Sequence, residues 1–170
     1  PRCDWFLVWL SWWIDSSVVL KLIIDSWHKV VPLIIWNWDH NVDVHDYNWT
    51  KAEWLDIQYA KNLCNDLWIK FEYIDANKIV SSFVESFDSE KWTLSGISPR
   101  IRSILIYTFA DANNLISAWC INGTEYILAA YSIWWPAGHF SPIIDLYKSE
   151  VYAVAQKIWI PSYIIERNPL

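Results

Sequence analysis

One stretch decides the fold: Leu7-Val8-Trp9-Leu10-Ser11-Trp12-Trp13-Ile14-Asp15-Ser16-Ser17-Val18-Val19. Its apolar first part predicts a strand buried on both faces, and the polar residues that follow predict an abrupt turn into a helix. Such a turn presents backbone N–H groups at a helix N-terminus, which is how many proteins bind phosphate. A phosphate that approaches the backbone closely calls for glycine, yet two tryptophans occupy this turn. The stretch therefore predicts an α/β fold whose binding loop conflicts with its own side chains.

The composition indicates one globular domain over residues 1–170. With 54% apolar residues, a chain of 170 residues is long enough to bury about two-thirds of its unfolded surface. The net charge is −6 and the sequence contains no cluster of lysine or arginine, which argues against nucleic acid as a partner. The three cysteines are far apart and lack the spacing of zinc ligands or of a disulfide framework, so we expect a reducing, cytoplasmic location.

The apolar segment Trp5–Ile24 is long enough to raise the question of a membrane span. Asp15 and Lys21 interrupt the segment, and each would cost about 2.5–3.5 kcal/mol at the centre of a bilayer. We therefore expect no membrane partner.

Segments typical of strands and helices alternate along the chain. Four runs predict strands, at Trp5–Leu10, Val30–Ile35, Ile69–Ile74 and Leu115–Trp119. Helices are predicted at about Ser16–Ser26, from the capping-box pattern of Thr50 and Glu53 to Leu67, at Asn77–Phe87, from Pro99 onward and at Tyr147–Ile158. The stretch Asn122–Pro142 is predicted to be irregular.

Alternating strands and helices predict a parallel sheet with helices on both faces. Ligands bind such sheets beyond the carboxyl ends of the strands, where the strand order reverses. The two strand ends richest in polar residues follow Leu10 and Trp119, and we expect the site there.

Glycine is scarce and tryptophan abundant. The chain has 3 glycines and 15 tryptophans, whereas glycine ordinarily makes up about 7% of residues. Trp27 and Trp68 each come just past a predicted helix, and Trp159 ends another. Helices often end there in a left-handed residue, so we expect positions at which glycine is favoured.

The turn after Leu10 carries four candidate ligand residues, Ser11, Asp15, Ser16 and Ser17. In one interpretation the hydroxyls and the helix N-terminus hold a pyrophosphate, while Asp15 holds Mg²⁺, which prefers carboxylate and phosphate oxygens. In the other interpretation, Ser11 or Asp15 is an ordinary helix cap. The sequence has no Gly-Lys-Ser/Thr, so this is not a Walker loop.

Motifs further along the chain resemble those of one known family. The segment from Ser11 to Ser17 resembles the Ser-Gly-Gly-x-Asp-Ser loop of the ATP pyrophosphatases, and the later motifs narrow this to the ammonia-dependent NAD synthetases. Those motifs are Pro99-Arg100-Ile101-Arg102, Asn122-Gly123-Thr124-Glu125, Ser141-Pro142-Ile143-Ile144-Asp145-Leu146-Tyr147-Lys148, Trp159-Ile160-Pro161 and Ile164-Ile165-Glu166. The likeness covers about Val8–Pro169 in one unbroken order.

The resemblance implies a five-stranded parallel sheet of the Rossmann-like, adenine-nucleotide alpha-hydrolase type, usually in a homodimer. It also implies a ligase of NAD biosynthesis, in which ATP adenylates the carboxylate of nicotinic acid adenine dinucleotide and ammonia then displaces AMP. Metal and cations neutralise charge in these steps, without a protein nucleophile. ATP contacts are expected from Ser11, Asp15, Ser16, Ser17, Cys120 and Lys148, a magnesium site at Asp15 and Glu125, and contacts to the dinucleotide at Arg100 and His139.

Departures from the family pattern concentrate at glycine. Tryptophan replaces it at Trp9, Trp12, Trp13, Trp27, Trp68, Trp119 and Trp159. Cys120 stands where the family has threonine, His139 where it has aspartate, and the family's first helix and C-terminal tail are not in this sequence. An indole in the loop would fill the place of a phosphate, and a left-handed residue other than glycine would cost about 1–2 kcal/mol.

Two alternatives to an active NAD synthetase therefore stay open. The first is an inactive or designed nucleotide-fold protein with a blocked loop. The second is another ATP pyrophosphatase such as GMP synthetase, against which the segment Ser141–Lys148 argues.

Overall fold

The computed structural model describes residues 5–11, 13–36, 47–86, 94–129 and 138–167. In chain order the elements are β1 (Trp5–Trp9), α1 (Ile14–Asp25), β2 (Lys29–Trp36), α2 (Tyr47–Asp66), β3 (Glu72–Asp75), α3 (Asn77–Glu85), α4 (Leu94–Ala112), β4 (Ile116–Ala118), α5 (Gly123–Ile127), α6 (Lys148–Lys157) and α7 (Ser162–Ile165). Strands and helices alternate through most of the chain, which confirms the α/β prediction.

The described strands form one parallel sheet in the order β3-β2-β1-β4. Four strands of the described residues belong to it, and the family resemblance implied five. One further parallel bridge, between Ala118 and Phe140, lies at the outer edge of β4. Because β2 lies on one side of β1 and β4 on the other, the strand order reverses between β1 and β4, and ligands bind such sheets at this point.

Two apolar clusters cover the two faces of the sheet. One cluster contains Val8 of β1 and Leu10, which directly follows β1, together with side chains of α1, α2, α6 and α7. The other contains Leu7 of β1 together with side chains of α4. Alternate residues of β1 therefore face opposite layers, and its burial on both faces is confirmed. Cys64 is fully buried in the first cluster, and burial raises the pKa of its thiol to about 12, as expected of a core cysteine.

Three helices end in a tryptophan with left-handed backbone. The φ angles are 61° at Trp27, 55° at Trp68 and 63° at Trp159. At the first, the N–H of Trp27 donates to Ile24 O (2.9 Å) and the N–H of His28 to Ile23 O (3.3 Å), the bond pair that closes a Schellman motif. The other two helices have the same bond pair. Each non-glycine residue in this conformation costs about 1–2 kcal/mol.

Three local predictions are wrong in detail. Thr50 does not begin α2, because that helix already starts at Tyr47. Pro99 does not begin α4, which starts at Leu94 and continues through the proline. The stretch Asn122–Pro142 is not wholly irregular, because α5 lies within it. In each case the start of a helix depends on groups that a single-residue pattern does not specify.

Candidate nucleotide-binding site

The candidate site lies at the carboxyl ends of β1 and β4, the point at which the strand order reverses. After β1 the chain passes through Ser11 and enters α1 at Ile14, with Trp13 as the N-cap residue. The side chain of Trp13 makes no capping hydrogen bond to this helix end. The first backbone N–H groups of a helix have no partner within the helix, so those of α1 are available to an anion.

The three serines of the turn are buried and bond mainly within it. Ser16 Oγ donates to the carbonyl oxygens of Ser11 (2.9 Å) and Trp13 (3.0 Å), and it lies 3.0 Å from Ser11 Oγ. Ser17 Oγ donates to Trp13 O at 3.2 Å. Ser11 Oγ in turn accepts the N–H of Trp13 at 3.3 Å. These bonds hold the turn in one shape, which preorganises the α1 N-terminus for an anion.

Asp15, in the first turn of α1, is almost fully buried, with 5% of its surface exposed. Its Oδ1 accepts a hydrogen bond from Asn122 Nδ2 at 2.8 Å, and its Oδ2 forms an ion pair with Lys148 Nζ. A buried carboxylate is costly unless it is paired and hydrogen-bonded, and here it is both. Three segments distant in the sequence therefore meet at one charged group.

Glu125 lies beside this group, in the first turn of α5. Asn122 caps that helix: its Oδ1 accepts the N–H of Glu125 at 3.0 Å, while its own N–H donates to Glu125 Oε2 at 3.2 Å. Burial is the largest influence on the pKa of Glu125 and raises it. The Asn122 N–H lowers this pKa, the charge of Asp15 raises it and that of Lys148 lowers it. The two carboxylates and the ammonium thus share one electrostatic environment.

This donor set fits a magnesium ion that is shared with phosphate. Among the described residues, no three His, Cys, Asp or Glu side chains are close enough to hold a metal by themselves. Mg²⁺ at nucleotide sites is commonly bound by one or two carboxylates together with phosphate oxygens and water. Asp15 and Glu125 could supply the two carboxylates, and a phosphate at the α1 N-terminus could supply further oxygens.

Cys120 is half-buried between β4 and α5. Burial raises the pKa of its thiol, and the carboxylates of Asp15 and Glu125 raise it further. A thiol in such surroundings stays protonated, so it is poorly suited to act as a nucleophile. Its position after β4 is compatible with the expected contact to a nucleotide, which no distance in the structure tests.

The ring of Trp13 faces the lysine of the site. Its centroid is 5.7 Å from Lys148 Nζ, and the ring of Tyr152 is 6.0 Å from the same atom, so the ammonium lies near two aromatic faces. The φ angle of Trp13 is −78°, so the left-handed strain considered for the loop does not arise at this residue. Trp12 lies outside the described residues. What Trp13 does add is bulk and an aromatic wall beside Lys148.

The two expected substrate contacts lie in different surroundings. Arg100 is exposed on α4, which packs on the sheet face opposite α1. Arg102, one turn further, places its guanidinium 4.9 Å from the ring of Trp9 at the end of β1. Of this arginine pair, Arg102 is therefore the residue whose contact with the strand end is established by the structure.

His139 is exposed, yet its ring is tied to the edge of β4. Its Nδ1 accepts the backbone N–H of Ser117 at 3.1 Å and lies 2.9 Å from Ser117 Oγ. The backbone N–H of His139 donates to Ser117 O at 2.7 Å. A ring nitrogen that accepts an N–H carries no proton, so Nε2 is the nitrogen of this ring that can donate. The neighbouring Gly138 is closely packed: an added Cβ would lie 2.5 Å from Trp119 N.

Asn122 is the site residue whose role the sequence analysis missed. It is fully buried, donates to Asp15 and caps the helix that carries Glu125, so it links both candidate metal ligands. The signal was present, because Asn122 and Glu125 have the spacing of a capping box.

A parallel sheet with helices on both faces, and a charged strand-to-helix turn where its strand order reverses, are the architecture of the nucleotide-binding class of α/β folds. The family model of NAD synthase matches residues 6–170, and the chain belongs to that family. It is 30% identical over 169 residues to the NH(3)-dependent NAD(+) synthetase of Thermococcus kodakarensis, a match that covers 96% of this chain and 61% of the relative. With the corresponding Archaeoglobus fulgidus protein it shares 33% identity over 116 residues, or 67% of this chain and 47% of the relative.

Solved structures agree with this assignment. The NH3-dependent NAD synthetase of Campylobacter jejuni, solved with a nitrate ion, superposes with a TM-score of 0.81 at 27% identity, covering 98% of this chain and 69% of that one. The NMN synthetase of Francisella tularensis superposes with a TM-score of 0.82 at 22% identity, covering 99% and 67%, and supports the fold alone. The chain spans about half to two-thirds of the length of the curated relatives described above. No helix among the described residues is long and apolar enough to span a membrane.

Proposed function

We propose that this chain catalyses both steps of an ammonia-dependent NAD synthetase, the adenylation of the substrate by ATP and its amidation by ammonia. Asp15 supports the proposal most directly, because it lies at the N-terminus of α1 and contacts both Asn122 and Lys148. The buried carboxylate is a ligand for a divalent cation, and the lysine can neutralise the charge of a phosphate. The free N–H groups at the helix N-terminus can donate to phosphate oxygens.

Within this proposal, Asp15 and Glu125 hold Mg²⁺, which supplies charge neutralisation at the phosphates of ATP. Ser11, Ser16 and Ser17 shape the turn that receives the pyrophosphate, and Lys148 faces a phosphate from its place beside Asp15. Cys120 lies against the nucleotide. Arg100 and His139 bind nicotinic acid adenine dinucleotide, with Nε2 of His139 as the donor.

The reaction proceeds in two displacement steps. A carboxylate oxygen of the substrate forms a bond to the α-phosphorus of ATP while the bond from that phosphorus to pyrophosphate breaks. Ammonia then forms a bond to the acyl carbon, AMP leaves with the electron pair of the broken C–O bond, and the nitrogen loses a proton to water. The protein binds and orients the reactants and neutralises their charge. We further propose a single domain that works as a cytoplasmic homodimer.

The test is an assay of AMP and pyrophosphate release with ATP, Mg²⁺, nicotinic acid adenine dinucleotide and ammonia. Trp12 and Trp13 are expected to obstruct the loop, so we expect weak Mg-ATP binding in the chain with both tryptophans and tighter binding after Trp12→Gly with Trp13→Gly. In whichever of the two versions is active, Asp15→Asn should lower the rate of pyrophosphate release by at least about 100-fold, since it removes a metal ligand. Asp25→Asn, on the exposed end of α1, is the matched control.

Each alternative predicts a distinct outcome. An inactive nucleotide fold would bind no Mg-ATP in either version, as measured by calorimetry. Another ATP pyrophosphatase would release pyrophosphate only with a different acceptor. Tight Mg-ATP binding to the unchanged chain, with no gain from the double substitution, would contradict the obstruction by Trp12 and Trp13.

A further inference from the structure

The left-handed helix ends at Trp27, Trp68 and Trp159 hold side chains that contribute almost no packing. Indole is the largest apolar side chain, and the exposed fractions here are 96%, 95% and 87%. All three side chains therefore lie almost entirely in water. Each occupies a conformation that L side chains disfavour. A large side chain in a strained conformation is ordinarily compensated by burial or by contacts, and burial is lacking at all three.

A fourth helix of the same chain shows the usual solution. Just past the end of α4, Asn114 has a φ angle of 53°, and the N–H groups of Asn114 and Leu115 make the same bond pair, at 3.2 and 2.8 Å. Asparagine is, after glycine, the residue that tolerates this position best. The motif is therefore built normally where the residue is asparagine. Among the described residues, Ala129 after α5 is also left-handed (φ 50°), and the bulky side chains in this conformation are the three tryptophans.

We propose that the protein made in its own cell carries glycine at positions 27, 68 and 159, because the codons behind these tryptophans are UGA read as glycine. UGA is decoded as tryptophan in some genetic codes and as glycine in others, so a single choice of code exchanges the two residues throughout a chain. This also accounts for 3 glycines beside 15 tryptophans. The same substitution at positions 12 and 13 would open the phosphate loop, but the inference rests on the backbone of the three helix ends and stands apart from the proposed function.

Mass spectrometry of tryptic peptides from the native protein tests this directly. Cleavage after lysine and arginine gives one peptide for each position, at residues 22–29, 62–70 and 158–167. Each peptide should be lighter than its written sequence by the difference between a tryptophan and a glycine residue. The peptide at residues 52–61 is the control: it carries Trp54 inside α2, where glycine would weaken the helix, and we expect tryptophan there.

Glycine in the three test peptides, with UGA at the three codons and UGG at codon 54, supports the proposal whether or not the protein makes NAD. Tryptophan in the three test peptides, or UGG at their codons, overturns it. In that case the exposed indoles are a true feature of the surface, and their function has to be sought in what they contact.

Discussion

The two ends of the sheet are built on different principles. At the amino end, where α1, α2 and α4 finish, backbone conformation decides which residue fits, and the side chains of Trp27 and Trp68 are almost entirely in solvent. At the carboxyl end, the side chains of Asp15, Asn122 and Lys148 define the structure through buried polar contacts. Substitutions should therefore act through chain conformation at one end and through charge and hydrogen bonding at the other.

The largest effect is expected from Lys148→Met at the carboxyl end. It leaves the buried Asp15 carboxylate without its cation, and we expect the free energy of unfolding to fall by about 2–3 kcal/mol, less than for a fully buried pair because the lysine is partly exposed. Urea denaturation measures this loss. Lys21→Met removes the i,i+4 pair with the exposed Asp25 and should cost no more than about 0.5 kcal/mol. Equal losses in the two variants would contradict the special role of Lys148.

Asn122→Ala tests the link between the two candidate metal ligands. The variant loses the bond to Asp15 and the cap of α5, so we expect a loss of about 1–3 kcal/mol and weaker binding of Mg²⁺ in the presence of ATP. Asn113→Ala is the control, since its Nδ2 donates to Phe109 O at the exposed end of α4. If magnesium binding is unchanged by Asn122→Ala, the residue does not position the ligands.

At the amino end, Trp68→Gly should raise stability. Relief of the left-handed strain is expected to contribute about 1 kcal/mol, after the higher flexibility of glycine in the unfolded chain is counted. In a chain of this size that corresponds to a rise in Tm of about 2–4 °C, measurable by calorimetry. Trp68→Ala removes the indole without relieving the strain and should give little gain. A similar rise in Tm for Trp68→Ala and Trp68→Gly would show that the indole side chain, and not the left-handed backbone, destabilises the protein.

The smallest effect is the pH dependence that Glu125 contributes. Its pKa lies above the ordinary value, mainly because burial disfavours the carboxylate, so the folded chain holds this proton more tightly than the unfolded chain does. The contribution of Glu125 to the free energy of unfolding is then greatest below its pKa in the unfolded chain. It falls as the pH rises through its pKa in the folded chain. Glu125→Gln should therefore reduce the fall in Tm as the pH rises above about 4, the region of the unfolded pKa. An unchanged pH profile would exclude a role for Glu125 in it.

The sequence predicted the α/β class and the parallel sheet, because these depend on local hydrophobic patterns. The binding site after Leu10 and Trp119 follows from a general rule for parallel sheets and stays a prediction. The sequence also predicted the helix ends at Trp27, Trp68 and Trp159, since the position after a helix has a strong conformational preference. The roles of Arg100, His139, Glu125 and the serines in binding stay predictions.

What the sequence did not predict depends on contacts between distant segments. Nothing local to Asn122 shows that its amide reaches Asp15, which lies 107 residues earlier. The capping-box pattern of Asn122 and Glu125 marks the start of α5, whereas that of Thr50 and Glu53 does not mark a helix start, because α2 begins upstream of Thr50. His139 was expected to face a substrate, yet its ring is also bonded to Ser117, a contact that requires the folded sheet.

The ion pair between Asp15 and Lys148 joins residues 133 positions apart, and this has a consequence for biosynthesis. At about 5–20 residues per second, the ribosome needs roughly ten seconds to travel from one partner to the other. During that time the nascent chain contains a carboxylate that cannot be buried at low cost. The first turn of α1 can therefore reach its final state only in chains translated through residue 148, and products of interrupted translation lack the cation that this carboxylate requires.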